Sequence, residues 1–376
     1  MKLSEVLIKR GFVSQFSAET LEEIIDTKEP LVVYHGIDPT ADSAHVGNFV
    51  VWMLLRHLAQ AGHTVVFLVG GGTGAVGDPK PDAERQLADL AVVHERVAKL
   101  QSQAETILGV TGVEFINNYE WLSKLDLLSF LRDIGKHFTV NELIKKDAIA
   151  RRLESETGLS YTEFAYPLLQ AYDYLHLFRA KGCTLQVGGS DQWGNITAGV
   201  DLVRRVEQAA VHALTVPLVI DKTTGKKFGK SEGNAVWLSA EKTTPYAFYQ
   251  FWFNVADENV VDYLKLFTLI SLEEVSDLES GLLHNPGSRN AQRHLARAVT
   301  ALVHGDAQAA MAEKVSDCLF GDVPPRELSA AEIELLKENA PRAEFMSGTS
   351  LVDILVGTGL ATSKREARTF IEGGAV

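Results

Sequence analysis

His45-Val-Gly47-Asn48 follows a short apolar run, PLVVYHG, and stands where a helix should open. A helix N-terminus offers free N–H groups and the positive end of the peptide dipole, which suits an anion, and Gly47 lets a ligand come close. His45 and Asn48, three apart, would face one phosphate from the first turn; the bland alternative is a histidine that only caps or packs. Much later, Lys227-Phe-Gly229-Lys230-Ser231 sets two lysines around a glycine, a loop able to clamp a polyphosphate while its charge redistributes. Alone, such a loop reads as solvated. Gly72-Thr-Gly74-Ala-Val-Gly77 matches GxGxxG after another apolar run. Asp78-Pro79-Lys80-Pro81 follow at once, however, and prolines there oppose a helix starting inside the motif. The next β-type run, VEFINN, lies too far on for a βαβ unit of about 30 residues. This argues against a nicotinamide dinucleotide site. The glycines read instead as a close backbone approach to a ligand, with Asp78 at the rim to meet a cationic group.

These groups need a frame, and the first two hundred residues alternate β-type runs with helical patterns. PLVVYHG, HTVVFLVGGG, VEFINN, CTLQVGG and LTVPLVI read as strands. Between them HVGNFVVWMLLRHLAQAG, RQLADLAVVHERVAKLQSQAETIL, LLSFLRDIGKHF, NELIKKDAIARRL, EFAYPLLQAYDYLHLFRAK and ITAGVDLVRRVEQ read as helices. The pattern predicts α/β with a mainly parallel sheet and ligands at the carboxyl ends of its strands. After DKTTGKKFGKSEG only helices are expected, opened by Thr244-Pro245 and by the capping-box pattern Ser271-Leu-Glu-Glu274. The boundaries read as 1–220 for the α/β part, 221–320 for the lysine loop and helical domain, 321–345 for a linker and 346–376 for a small last module. In that module two short helices turn at Gly359, the second opened by Ser363-Lys-Arg-Glu366.

The chain of 376 residues is 46% hydrophobic and 23% charged, which excludes disordered, collagen-like and disulfide-scaffold classes. No apolar stretch reaches a membrane span, and Glu5, Lys9 and Arg10 stand where a signal peptide would be apolar. Cys183 and Cys318 are far apart and outside any CxxC, so a reducing, cytoplasmic setting without structural zinc is expected. A net charge of −13 argues against a surface coated for nucleic acid and against DNA, while leaving room for a local basic patch.

Taken together, HVGN and KFGKS on an α/β chain resemble the HIGH and KMSKS signatures of class I aminoacyl-tRNA synthetases. Tyr34-His-Gly36-Ile-Asp38-Pro-Thr40, GGGTGAVGDP, NNYEWL, FLRDIGKHFTVN, QVGGSDQWGNI and KKFGKSEG, in this order, resemble the bacterial tyrosyl-tRNA synthetases over nearly the whole chain. The resemblance implies a Rossmann-like catalytic domain with a helical insertion, an all-helical anticodon-binding domain and the first half of an S4-type RNA-binding module. The chain stops at Val376 before the strands such a module would carry, so a truncated or naturally short form of it is expected.

The resemblance implies a phenol held by Tyr34 and Asp173, a chemically complete pair because a phenol both donates and accepts. An indole N–H needs only an acceptor, so Tyr34 favours tyrosine over the tryptophanyl relative. Tyr166, Gln170 and Asp173, spaced four and three apart, share a helix face. Tyr166 and Gln170 would meet the ammonium group with Asp78 nearby and Asn118 in support, and Gln192 the carboxyl. Gly36, Asp38, Thr40, His45, Gly47 and Asn48 would run along ATP, and Gly189 and Asp191 would meet its ribose. Lys227, Lys230 and Ser231 would hold the leaving pyrophosphate. His35 and Arg85 receive no assigned role.

The implied activity is tyrosine activation by ATP, followed by transfer to the terminal adenosine of tRNA(Tyr). A carboxylate is already nucleophilic, so catalysis would be positioning and charge stabilisation by Thr40, His45, Asn48 and the lysine loop. Magnesium would come with ATP, with no tightly bound cofactor and no protein metal cage. Basic stretches at 145–152, 204–205 and 363–368 are candidate tRNA contacts, and a homodimer through the insertion containing FLRDIGKHF is implied. The rival readings are an oxidoreductase, a tryptophanyl enzyme, a non-catalytic RNA-binding protein on a synthetase scaffold and a small-molecule adenylyltransferase.

Overall fold

The computed structural model describes residues 1–79, 88–154, 158–226, 230–231, 234–340 and 343–375. Its centre is a six-stranded sheet of β1 (Gln15–Phe16), β2 (Val32–Ile37), β3 (Thr64–Val69), β4 (Val113–Asn117), β5 (Leu185–Gly189) and β6 (His212–Val216), in the order β1-β6-β5-β2-β3-β4. All neighbours run parallel except β1, a short antiparallel edge that the sequence pattern did not reveal. Five of the six residues of TVVFLV are buried, as expected of a strand covered by helices on both faces.

Helix Val46–Gln60 crosses from β2 to β3, and helix Leu90–Leu108 from β3 to β4. Helix Tyr161–Lys181 leads into β5, and Trp193–Glu207 leads from β5 to β6. The chain therefore leaves β2 for β3 on one side and later lays β5 against its other side. The carboxyl ends of β2 and β5 diverge there into a crevice, which is where ligands of open α/β sheets gather. Helix Tyr161–Lys181 is well delimited. Ser160 accepts from the Glu163 N–H at its start, and Gly182 ends it in the left-handed region.

Helices Pro245–Phe253, Asp257–Phe267, Leu272–His284 and Asn290–His304 follow, with the predicted Ser271 capping box formed in both directions. They bury Phe248, Trp252, Leu264, Phe267 and Leu295, and belong to the same compact unit as the sheet, Met1–Ala310. Phe49 stacks on Phe267, with ring centroids 5.7 Å apart.

The second unit, Met311–Val376, contains helices Ala330–Asn339, Leu351–Gly357 and Lys364–Glu372. The first of these stands inside the stretch read from sequence as a linker. The last two pack around Leu355, Ala361 and Ala367, with Gly359 at φ +75° between them. Ser363 caps the second as expected, but Glu366 reaches back to Thr362 instead of closing the box on Ser363. Among the described residues no helix is long and apolar enough to cross a membrane.

Candidate active site

The crevice holds a cavity of about 520 Å³. Tyr34, from the middle of β2, is 1% exposed and meets Tyr174 edge to face at 5.2 Å. Tyr34 lines the cavity and its hydroxyl has no hydrogen-bond partner, an arrangement that is costly until a ligand completes it. Burial, and then the nearby Asp173, pushes the phenol well above its ordinary pKa.

Asp173 is buried and accepts from Nδ2 of Asn118 at 2.8 Å and from the indole N–H of Trp121 at 2.7 Å. Burial raises its carboxyl to about 7, with both hydrogen bonds pulling the other way. Fully buried Asn118 also accepts from the Gly72 N–H at 2.8 Å and donates to Thr73 at 2.9 Å. The Thr73 hydroxyl donates to Asp38 at 2.7 Å, and the Tyr166 hydroxyl donates to the other Asp38 oxygen at 2.8 Å. A continuous network thus runs from Asp173 to Tyr166. Tyr166, Gln170 and Asp173, one face of one helix, all line the cavity, as the spacing predicted. Asp38, expected along the nucleotide, also lines the cavity, while its carboxylate is engaged by Tyr166 and Thr73.

At the other end, His45 caps helix Val46–Gln60. Its Nδ1 accepts from the Gly47 N–H at 3.0 Å, and Asn48 Oδ1 accepts from the His45 N–H at 3.2 Å. The neutral ring therefore carries its proton on Nε2. Capping and cavity-lining are not alternatives here, because His45 and Asn48 do both. A Cβ on Gly47 would lie 2.8 Å from the imidazole, so this glycine also makes room for the folded-back cap. Gly36 and Thr40 line the same end.

Gly189 and Asp191 stand at the end of β5, where a Cβ on Gly189 would meet the Asp191 carboxylate at 2.5 Å. Gln192 donates to Asp78 at 3.0 Å, and Asn195 donates to the other Asp78 oxygen at 3.3 Å. Asp78 and Asp191 also line a second cavity of about 760 Å³, together with Trp193, Lys145, Lys146 and Arg205. The Lys146 ammonium is bonded to the Gly194 carbonyl, and burial lowers it to about 8.

Of the lysine loop, the backbone of Lys230–Ser231 (β7) pairs with Asn234–Ala235 (β8). Lys227, Lys80 and Arg85 lie outside the described residues. His35 Nδ1 lies 3.2 Å from the Val187 carbonyl, and burial lowers its pKa to about 4, so it lines the cavity neutral.

Within the GxGxxG run Thr73–Val76 form a four-residue helix, and a Cβ would fall 2.8 Å from Leu122 at Gly72 and 2.7 Å from Pro39 at Gly74; at the preceding Gly70 it would fall 2.1 Å from Asp38. These glycines make room for neighbouring protein groups, and Thr73 lines the cavity. Sequence reasoning also missed Trp121, Thr73 and Asn195. Trp121 lies within NNYEWL, but nothing local separates a core indole from one donating to Asp173. Among the described residues no three His, Cys, Asp or Glu side chains converge as a metal site.

Residues 26–321 match the family model of class I tRNA synthetases (W and Y). The tyrosine–tRNA ligase 2 of Enterococcus faecalis is 47% identical over 99% of this chain and 89% of its own length. That of Streptomyces griseus is 48% identical over 97% and 88%. A C-terminally truncated mitochondrial tyrosyl-tRNA synthetase of Aspergillus nidulans superposes with a TM-score of 0.76 at 30% identity, covering 85% of this chain and 94% of that one.

Proposed function

The chain belongs to the class I tRNA synthetases of the tryptophan and tyrosine group, within them to the bacterial tyrosine–tRNA ligases, and on that premise we propose how its own residues perform the reaction. It activates L-tyrosine with ATP and transfers tyrosine to the 3′-terminal adenosine of tRNA(Tyr). The observation that carries the choice of amino acid is the buried, unpartnered Tyr34 hydroxyl at the same pocket as Asp173. A phenol would donate to the carboxylate and accept from Tyr34. An indole or a benzyl side chain would leave Tyr34 unpaired at a cost of roughly 1–3 kcal/mol.

Tyr166, Gln170 and Asp78 surround the place for the ammonium group, with Gln192 beside the carboxylate. That carboxylate attacks the α-phosphorus of ATP. A C–O–P bond forms as the bond to the β-phosphate oxygen breaks, and pyrophosphate leaves with the electron pair. His45 Nε2–H, Thr40, Asn48 and the helix dipole face the phosphates, Gly36 and Gly47 leave them room, and Gly189 and Asp191 meet the ribose. Lys227, Lys230 and Ser231 supply the charge that the departing pyrophosphate needs. Magnesium would enter with the nucleotide, bound through its phosphates.

The second cavity adjoins the first at Asp78 and Asp191 and carries Lys145, Lys146 and Arg205, which supports it as the approach of the tRNA end. The basic helix Lys364–Glu372 is a further RNA contact. Exposed Leu127, Leu128, Val140 and Leu153 in the insertion, with exposed Tyr161 at the start of the next helix, favour a homodimer through that segment. A cytoplasmic location completes the reading.

Amino-acid-dependent ATP–pyrophosphate exchange with tyrosine, tryptophan and phenylalanine side by side tests it. Exchange with tyrosine alone is expected. No exchange from folded protein would overturn the assignment, and light scattering in solution tests the dimer.

A further inference from the structure

Two segments far apart in sequence meet beside the phosphate end of the cavity. The Val46 N–H donates to the Val236 carbonyl at 3.0 Å, and the Leu238 N–H donates to the Ala44 carbonyl at 2.9 Å. His45 and Trp237 therefore face each other as an antiparallel bridge, their rings edge to face at 6.1 Å. The Trp237 backbone N–H is held by Thr243 at 3.0 Å. Lys242 lies over the indole, 5.2 Å from its centroid, and pairs with Asp42 at 2.8 Å, so the strap returns to the loop that precedes His45. On the other side, Asn234–Ala235 (β8) pairs with Lys230–Ser231 (β7) and runs directly into Val236. Backbone hydrogen bonds alone thus connect the lysine-bearing strand to the start of the His45 helix.

We propose that Trp237 is a positioning residue for amino-acid activation: its indole sets the plane of the His45 imidazole, and its backbone segment ties the Lys230–Ser231 strand to the start of the same helix. The inference rests on the activation reading above. The Gly47 N–H holds Nδ1, and the edge-to-face contact with the indole bears on the plane of the ring about that bond. Tilting would carry Nε2–H away from the phosphate, so the loss falls on the chemical step and not on tyrosine binding.

The test compares Trp237→Met, which loses the ring, with Trp237→Phe, which keeps one. Wild-type exchange with tyrosine is measured first, so that failure of the functional reading is seen separately. Trp237→Met should lower kcat for exchange about tenfold with the KM for tyrosine unchanged, and Trp237→Phe should restore most of it. In a His45→Ala background, Trp237→Met should cost nothing further, because the residue acts through His45. Independently of activity, the ring resonances of His45 in nitrogen-15-labelled protein, assigned by their loss in His45→Ala, should shift in Trp237→Met. Losses that multiply in the double variant, or unmoved His45 resonances, would overturn the proposal. Should Trp237→Met fail to fold, the same cycle and spectra are read with Trp237→Phe, whose smaller ring should give a smaller shift in the same resonances.

Discussion

The indole N–H of Trp121 donates to Asp173 at 2.7 Å, and Asn118 donates to the other oxygen at 2.8 Å. These two bonds keep a buried carboxyl, at about 7, from rising further. Each carboxylate oxygen has a lone pair to spare, so the ionised group can still accept a phenol proton. The KM for tyrosine should therefore rise as pH falls through about 7, where Asp173 takes up its own proton. Trp121→Phe removes a bond that lowers the pKa, so the midpoint of that KM profile should move to higher pH. An unmoved midpoint would separate Trp121 from Asp173.

Gly47→Ala should damage the chemical step without unfolding the protein. The added Cβ would sit 2.8 Å from the His45 ring and push it out of its cap. A displacement of this size costs on the order of tenfold to a hundredfold in kcat. Steady-state pyrophosphate exchange, with the melting temperature measured alongside, checks it.

Arg152 and Glu163 form an ion pair at 3.1 Å with both side chains essentially inaccessible, and Arg152 also binds the Gly158 carbonyl at 2.7 and 2.9 Å. The pair fastens the insertion to the first turn of the helix that carries Tyr166, Gln170 and Asp173. Arg152→Met should cost about 3–5 kcal/mol in urea unfolding, because it strands a buried carboxylate. Replacing both partners with apolar residues should cost less than either single change.

Half-buried His304, edge to face with Phe248 at 4.9 Å, is depressed by burial to about 4 from an ordinary 6.5. The unfolded chain takes up this proton first as pH falls. His304 thus contributes stability above pH 6.5 that is progressively lost down to about pH 4. The melting temperature of His304→Leu should therefore fall less than that of wild type across this window. Parallel curves would show that His304 does not titrate this way.

Much of this molecule is legible without coordinates because its signals are local. Apolar runs such as TVVFLV locate strands, and the spacing of Tyr166, Gln170 and Asp173 alone puts them on one helical face. The order of six short motifs along the chain identifies the family. Hydrogen-bond partners follow a different rule, since they depend on which backbone turns fold back and which strands become neighbours. That Asp38 accepts from Tyr166 and Thr73 shows only once the fold brings the three together. That Gly70 and Gly74 make room for Asp38 and Pro39 is likewise set by the fold and not by the local pattern. Trp237 carries no motif and meets His45 only through a pairing of two distant segments. Sequence alone therefore determined the elements and the residue types of the pocket. Tertiary structure decided the directions of its hydrogen bonds, the tautomer of His45 and the raised pKa of Asp173, because these depend on burial and on contacts between residues that no local pattern brings together.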